Sequence, residues 1–335
     1  MQNAEIFIGL DMGKSSFSAA VVAQSNPSTY YEEQFTNDKN GYLKLLQWLK
    51  KTYPDDGRQV LICLEHTGIY SRGICLFLAE RQMPYTLLSG LHLKRSMGIR
   101  RGKTDKADAK AISKYALIHK HEIRHTVLPE KALLKLKDKI AERDRMVKAK
   151  KLLSITANEH KSVGLKVTKA DLIHTQAVVE RITKAIKALE KEIESLIKSD
   201  DQMKKCLDLL CSIPGIGLQI AAQLLVTTHC FTCFDNSRQL ACYAGLAPFE
   251  YSSGSSIRGR TKVSHLADKK IKSLLSMAAL NAMRYDKQLK QYYARKTAEG
   301  KHVMVVQNAI RNKVLARAFA VIKRGTPYVQ LATYA

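Results

Sequence analysis

Residues Glu5 to Gly13 read Glu-Ile-Phe-Ile-Gly-Leu-Asp-Met-Gly, an apolar run that ends at one carboxylate, Asp11. Such a run is typical of a strand buried on both faces, which fixes the position of its neighbours in a sheet. A carboxylate at the end of a buried strand costs desolvation energy unless a cation or hydrogen bonds compensate it. Asp11 is therefore a candidate for a metal or phosphate site, or alternatively a turn residue before Gly13.

The composition indicates a polyanionic partner. The 335 residues carry 55 Lys plus Arg against 30 Asp plus Glu, a formal charge of +25. Residues 1–120 hold 17 basic and 11 acidic side chains, so most of the excess lies in residues 121–335. An imbalance of this size favours a nucleic-acid partner over an acidic membrane surface.

Other features of the composition limit the location of the protein and its use of cysteine. No apolar stretch reaches about 18 residues, and no basic segment followed by an apolar run opens the chain, so we expect a cytosolic protein without a membrane partner. Seven irregularly spaced cysteines argue against a disulfide framework. Cys230 and Cys233 follow His229, but no second ligand pair comes at zinc spacing, which favours packing over metal binding.

The first 125 residues predict a mixed α/β sheet covered by helices. Residues 16–23 and 29–35 read as strands that pair back onto the first strand, and residues 41–53 have helical spacing. A second buried strand covers residues 59–64 and is followed by Glu65. A helix over 69–82 and a strand over 85–88 complete the domain.

Four acids in this region suggest a metal platform. Both buried strands end in an acid, and ligand sites of α/β sheets lie at strand ends, so Asp11 and Glu65 can share one site if their strands are neighbours. Asp105 and Asp108 lie three residues apart after the candidate cap Thr104, so on a helix they share a face. Taken alone, this pair favours ion pairing with the basic residues around it, among them Arg100, Arg101 and Lys103. All four acids in this order favour two Mg²⁺ ions about 4 Å apart acting on a phosphodiester.

The remaining chain divides into two further predicted domains. Residues 126–200 are helical and charged, and Leu172 to Ser199 has heptad spacing, which predicts an antiparallel helical hairpin or an intermolecular coiled coil, with dimerisation favoured. We expect this segment to be too polar to bury itself in a globular core. Residues 201–335 begin with two apolar helices interrupted by Ser212 to Gly217, Ser-Ile-Pro-Gly-Ile-Gly. This turn is typical of a helix-hairpin-helix, in which Gly215 and Gly217 present backbone N–H groups to a phosphate, or of a plain helical turn.

A serine-rich segment then precedes the most basic part of the chain. Residues 244–261 hold Ser252, Ser253, Gly254, Ser255 and Ser256, and residues 250–335 carry 17 basic against 4 acidic side chains. We expect a basic loop that holds or attacks a phosphate, with helices over 267–285 and 304–323 behind it. The candidate phosphate-binding residues are Arg258, Arg260, Lys262, Lys269 and Lys270.

Taken in order, these motifs resemble one family. The motifs are Gly-x-Asp-x-Gly, Glu with Thr-Gly, Lys-Thr-Asp-x-x-Asp-Ala, a coiled coil, Pro-Gly-Ile-Gly, and Gly-Leu-x-Pro followed by Ser-Gly. Together they are similar to the DEDD-type insertion-sequence transposases related to the Piv invertase, over nearly the whole chain. The resemblance implies a RuvC-like ribonuclease-H fold, a coiled-coil insertion and a helical C-terminal transposase domain.

The resemblance also implies a division of roles. Asp11, Glu65, Asp105 and Asp108 bind Mg²⁺, for which Mn²⁺ can substitute, and Ser253 attacks a DNA phosphate to give a covalent phosphoserine and a free 3′ hydroxyl. The partners it implies are double-stranded donor and target DNA, a structured guide RNA (a bridge RNA) and other copies of the chain in a homodimer or tetramer. It implies a bacterial, nucleoid-associated protein. Since Ser253 is distant in sequence from the acids, a site completed by docking of domains, within or between chains, is the corresponding hypothesis.

Several alternatives stay open at this point. Ser252, and less so Tyr251, compete with Ser253 as the nucleophile, because the motif identifies it only by its place before Gly254. A DNA invertase of the same family, a metal-dependent junction endonuclease without a covalent intermediate and a non-catalytic nucleic-acid-binding protein are the competing functions. A sugar-kinase-like ATPase is disfavoured, because no second phosphate loop or adenosine loop follows.

Overall fold

A computed structural model describes residues 4–53, 59–96, 104–155, 159, 164, 173–253 and 257–330. The chain forms two compact units, Met1–Leu128 and Pro129–Ala335. The segments predicted as a coiled-coil domain and a C-terminal domain both belong to the second unit. Their separation at residue 200 stays a prediction.

The first unit is a mixed α/β structure. Its elements are β1 (Ala4–Met12), β2 (Ser16–Ala23), β3 (Asn26–Thr36), α1 (Lys39–Thr52), β4 (Gln59–Glu65), α2 (Arg72–Glu80), β5 (Tyr85–Leu88), α3 (Gly90–Ser96) and α4 (Asp105–Ile118). The sheet order is β3-β2-β1-β4-β5. Strands β1, β2 and β3 are antiparallel neighbours, whereas β4 and β5 run parallel to β1. The predicted fold class, a mixed α/β sheet with helices, is confirmed.

Strand β1 is central in this sheet and is buried on both faces, as its apolar run predicts. Phe7 and Leu10 have no exposed surface, and Ile8 is 1% exposed. Alternate residues enter different clusters: Ile8 and Leu10 pack on one side, and Phe7 packs with Leu61 on the other. This alternation follows from the two-residue period of a strand.

Helix α4 lies directly on β1 because Gly9 has no side chain. A Cβ at Gly9 would lie 2.2 Å from the carbonyl oxygen of Ala109 and 2.3 Å from the amide nitrogen of Ser113. The direction of α4 follows from two hydrogen bonds beyond its C-terminal end. Lys120 Nζ donates to Gln24 Oε1 at 2.7 Å, and the Gln24 amide donates to the Glu5 carbonyl at 2.7 Å. The end of α4 therefore lies beside the start of β1, and its first turn lies toward the end of β1.

In the second unit the described residues form helices and one hairpin. Its elements are α5 (Lys131–Leu153), α6 (Ile173–Lys198), α7 (Asp201–Cys211), α8 (Leu218–Thr228), α9 (Ser237–Tyr243), β6 (Pro248–Ser253), β7 (Ile257–Val263), α10 (Lys269–Tyr285), α11 (Lys287–Ala298) and α12 (Val303–Arg324). The predicted helical C-terminal region is confirmed. Helix α11 was not predicted separately.

Helices α5 and α6 form an antiparallel pair within the chain. Lys139 pairs with Glu192 at 2.7 Å and Arg143 pairs with Glu190 at 2.7 Å. A later residue of α5 thus pairs with an earlier residue of α6, so the two helices run in opposite directions. An intermolecular coiled coil stays a prediction.

The C-terminal half of α6 is part of the hydrophobic core. Leu189 is 5% exposed, and Ile193 and Ile197 have no exposed surface, all three within the second unit. The expectation that the segment Leu172 to Ser199 is too polar for a globular core is therefore wrong for this half of the helix. Its apolar stripe is narrow, but helices α5, α7 and α8 cover it.

Residues 248–253 and 257–263 are the paired strands of a β-hairpin, so the prediction of a loop is wrong for these residues. Strands β6 and β7 are antiparallel, with Tyr251 opposite Gly259 and Ser253 opposite Ile257. Aromatic and β-branched residues such as Phe249, Tyr251 and Val263 have high strand propensity, which outweighs the serines and glycines between them.

Asp286 is a buried helix cap that ties three elements together. Its side chain is 1% exposed, accepts a hydrogen bond from the Leu289 amide at 2.9 Å and pairs with Arg317 at 2.6 Å. The Tyr328 hydroxyl donates to the same carboxylate at 3.2 Å. The start of α11 is thereby connected to α12 and to the segment after it.

Replacing Asp286 by alanine should lower the free energy of unfolding by about 3–5 kcal/mol, because Arg317 loses its buried counter-ion. Asp200 is the matched control: it caps α7 through one hydrogen bond from the Met203 amide and has no such partner in the described structure. Asp200→Ala should cost about 1 kcal/mol. Chemical unfolding of the full-length variants measures both, and equal losses would contradict the role given to the ion pair.

Candidate active site and nucleic-acid interface

Asp11 and Glu65 lie at the same edge of the sheet of the first unit. Leu10 pairs with Leu64 in the parallel β1–β4 register, and the two acids are the next residue of each strand. Neighbouring strands are about 4.8 Å apart, so their backbones start from adjacent positions. The two side chains belong to the face on which α4 packs, because Phe7 and Gly9 precede Asp11 at two-residue intervals. Both acids are half-buried.

The other two acids lie in the first turn of α4. Thr104 caps the helix as predicted: its hydroxyl accepts a hydrogen bond from the Ala107 amide at 3.2 Å. Asp105 lies four residues before buried Ala109, and Asp108 lies four residues before buried Ile112. Each acid is therefore on the side of α4 that faces the sheet. Because this turn lies toward the end of β1, the backbone brings all four acids to one end of the sheet.

The four carboxylates are suitable ligands for a divalent cation, but in the described structure no three of them are close enough together to bind one. Carboxylate oxygens are the ligands that Mg²⁺ prefers. Within the residues that the structure describes, however, no three Asp, Glu, His or Cys side chains are grouped closely enough to hold a metal. Asp105 and Asp108 also have a structural role, since acids in a first turn interact favourably with the helix dipole.

Gly90 gives room to the carboxylate of Glu65. A Cβ at Gly90, the first residue of α3, would lie 2.1 Å from Glu65 Oε1. Neither Gly9 nor Gly90 was predicted as a site residue. Gly9 could have been found from its position in the sequence, because it precedes Asp11 by two residues and therefore lies on the same face of the strand.

The candidate serine lies at the end of the hairpin. Ser253 is the last residue of β6, and Ser252, opposite Arg258, is exposed. Gly254, Ser255 and Ser256 lie outside the described residues. The structure does not test the choice between Ser252 and Ser253.

The predicted basic residues fall into three groups. Arg100, Arg101 and Lys103 lie outside the described residues. Arg258, Arg260 and Lys262 belong to β7, and Lys262 is exposed. Lys269 and Lys270 begin α10, where Lys270 pairs with Asp144 of α5 at 2.5 Å and Lys269 is exposed.

The two glycines of the α7–α8 turn differ in their surroundings. Gly215 has a φ of +97°, and a Cβ there would lie 2.4 Å from the carbonyl oxygen of Ala278 in α10. Gly215 therefore allows two backbones to approach closely. Gly217, the cap of α8, has nothing within 4 Å of its Cβ position, so its backbone is accessible to a ligand.

Cys230 packs against the core of the second unit. Burial raises the pKa of its thiol to about 12. Among the described residues, no helix has the length and apolar character needed to cross a membrane.

Two family models match segments of the chain. A family model described as "Transposase" of the DEDD IS110 type matches residues 8–160, and one described as "Transposase IS116/IS110/IS902 family" matches residues 207–294. Both models describe transposases of the IS110 type, so the two matched segments of this chain are similar to that family. The two matched segments contain the four acids and the serine hairpin, respectively.

Some similar proteins match nearly the whole chain. The pilin gene-inverting proteins of Moraxella bovis and Moraxella lacunata are each 26% identical over 97% of this chain and 98% of their own. The insertion element IS110 uncharacterized 43.6 kDa protein of Streptomyces coelicolor is 34% identical over 42% of this chain and 34% of its own. Thermus thermophilus RuvC in complex with a Holliday junction substrate aligns with 36% of this chain and 99% of its own, at 12% identity and a TM-score of 0.28.

Replacing Gly9 by alanine should separate α4 from β1, because both contacting atoms are backbone atoms that cannot rotate away. We expect the free energy of unfolding to fall by about 3 kcal/mol, the upper part of the range for overpacking. Hydrogen exchange should become faster in α4 than in the other elements of the sheet.

Gly217→Ala is the control for this substitution, since its Cβ meets open space and only a helix cap is altered. It should cost less than about 1 kcal/mol. If both variants lost the same stability, the close contact of Gly9 with α4 would not be important.

Proposed function

We propose that the chain is an insertion-sequence transposase that cleaves and rejoins DNA through Ser253, with Mg²⁺ held by Asp11, Glu65, Asp105 and Asp108. The observation that carries this proposal is the placement of α4 on β1, which supports a common location for the four acids. Two ions, with Mn²⁺ as a substitute, agree with the number of carboxylates.

The residues have separate roles in the proposed reaction. The Ser253 hydroxyl loses its proton, and its oxygen forms a bond to the DNA phosphorus while the bond from phosphorus to the 3′ oxygen breaks. The leaving oxygen takes up a proton and becomes a free 3′ hydroxyl. A 3′ hydroxyl later attacks the phosphoserine, which rejoins the DNA and releases the serine. Bound Mg²⁺ supplies charge stabilisation for the phosphate and the leaving oxygen.

Basic residues hold the charged backbone in this proposal. Lys262 and Lys269 are exposed, and Arg258 and Arg260 belong to the same hairpin as Ser253. Positive charge next to the reacting phosphate lowers the cost of the developing negative charge. Arg100, Arg101 and Lys103 are proposed to act similarly beside the acids, Gly217 offers an open helix start and Gly215 supports it.

A structured guide RNA and a homodimer or tetramer are further parts of the proposal. The formal charge of +25 favours polyanionic partners, and the sequence shows no helix-turn-helix or zinc finger that could read DNA bases. Base pairing by an RNA can supply that specificity.

DNA inversion is the second candidate function. It is favoured by the two Moraxella relatives, whose names describe inversion of a pilin gene and which match this chain over 97% of its length. The chemistry at the phosphate is the same in both functions, so the arrangement of the DNA ends distinguishes them.

The nucleophile is tested by incubating the protein with candidate RNA, Mg²⁺ and DNA from the ends of the element. We expect a protein–DNA adduct that survives denaturation, and we expect Ser253→Ala to abolish it while the matched Ser252→Ala retains it. If only Ser252→Ala abolished the adduct, Ser252 and not Ser253 would be the nucleophile. Strand cleavage without any adduct would favour a junction endonuclease, and binding without cleavage would favour a non-catalytic protein.

The metal platform is tested by Asp11→Asn and Glu65→Gln in the same assay. Each should lower adduct formation by about 100-fold or more, because charge stabilisation at the phosphate is lost. Glu32→Gln, an exposed position of β3, is the control and should leave the rate unchanged. Activity that persists with a chelator and with both substitutions would overturn the role of the acids.

A further inference from the structure

The β6–β7 hairpin carries two aromatic side chains that its fold does not bury. Tyr251 is 71% exposed and Phe249 is 50% exposed. They are two residues apart in β6, so they lie on the same face of the strand. The strand register shifts between Phe249 and Tyr251, so that two residues of β7, Arg260 and Thr261, lie opposite the single residue Glu250 of β6. The extra residue is thus in β7, and the two aromatic residues remain neighbours on one face of β6.

The hairpin is shaped to hold the Tyr251 ring. Gly259 lies opposite Tyr251, and a Cβ at Gly259 would be 2.9 Å from Tyr251 Cδ1 and 3.3 Å from Tyr251 Cβ. Any other residue at position 259 would therefore move the ring. A groove of about 590 Å³ lies along this surface and is lined by Phe249, Glu250, Tyr251, Gly259, Lys262 and Ser264.

The charge around the groove indicates the kind of partner. Lys262 is opposite Phe249 in the hairpin, and residues 248–272 contain six basic and two acidic side chains. A protein-binding surface is depleted of charged residues at its centre, especially Lys. Aromatic faces beside cations instead fit a nucleic-acid strand, whose bases stack and whose phosphates are anionic.

We propose that Tyr251, with Phe249 beside it, is a stacking platform for an unpaired base of the DNA strand that Ser253 attacks. This inference rests on the proposed function. Two residues of a strand span about 6.6 Å, so Tyr251 lies within about one nucleotide of the Ser253 backbone. Tyr251 is thus a positioning residue: it holds the base next to the reacting phosphate and does not take part in bond formation.

The platform requires a base that is outside a double helix, because a paired base has both faces covered by its neighbours. The groove therefore selects DNA that is already opened or is opened on binding. Binding at this surface should be tolerant of base identity, since every base has a face that can stack.

The test uses the full-length Ser253→Ala protein, which can bind but cannot form the adduct. The probe is a single-stranded DNA of thymidines with one central 2-aminopurine, whose fluorescence reports stacking. Tyr251→Ala should weaken binding by about 5- to 100-fold and abolish the fluorescence change. Tyr251→Phe should restore both, whereas Tyr251→Leu, which keeps bulk without an aromatic face, should not.

Two controls separate stacking from charge and from general damage. Tyr285→Ala removes a tyrosine that is 72% exposed in the same unit and should leave binding unchanged. Tyr251→Ala should leave the salt dependence of binding unchanged. Lys262→Ala should reduce the slope of log binding constant against log salt concentration by about one, because one phosphate contact is lost. Equal effects of the two alanine substitutions for tyrosine, or full binding by Tyr251→Leu, would overturn the stacking role.

The nature of the strand and the dependence on the nucleophile are tested separately. An RNA of uridines with the same fluorescent base that binds more tightly, with the same loss in Tyr251→Ala, would overturn the assignment to DNA in favour of the guide RNA. If Ser253→Ala retained the adduct in the earlier assay, the proposed nucleophile would fail, but the loss of stacking in Tyr251→Ala would still be measurable.

Discussion

The close contact of helix α4 with strand β1 at Gly9 is the constraint on which the first unit depends. A helix normally lies on a sheet at a distance set by the side chains between them. At Gly9 the Cβ position is 2.2 Å from a carbonyl oxygen of α4, so the two backbones nearly touch. This approach brings the first turn of α4 down to the level of the strand ends. This close approach requires a glycine two residues before Asp11. A larger residue there would move α4, and with it Asp105 and Asp108, away from the sheet edge that carries Asp11 and Glu65.

The acids could be found from sequence because their signals are local. Asp11 and Glu65 each follow an apolar run, and Asp105 follows a capping threonine, so each position is marked by its immediate neighbours. The distance between the strand ends and α4 could not be predicted in this way. It depends on which helix packs against β1 and in which direction, and that information lies in long-range contacts such as Lys120 with Gln24.

The second unit shows where local patterns mislead. The serines and glycines of residues 244–261 predict a loop, yet cross-strand pairing between residues such as Tyr251 and Gly259 makes a hairpin. The polar character of α6 predicts a segment outside any core, yet Ile193 and Ile197 are fully buried by neighbouring helices. In both cases the segment is stabilised by contacts that the spacing of its own apolar residues does not predict.

The acids of the C-terminal region explain how a chain with this charge can fold and still attract a polyanion. Residues 250–335 contain four acids, and three of them serve helix ends: Asp268 caps α10, Asp286 caps α11, and Glu299 ends α11 beside Lys296. Each of these carboxylates forms its interactions within the unit. The region has 17 basic side chains against these four acids, so it keeps a large positive charge that attracts a polyanion. The same excess of basic residues surrounds the hairpin, which is why the partner proposed for Tyr251 is a nucleic acid and not another protein.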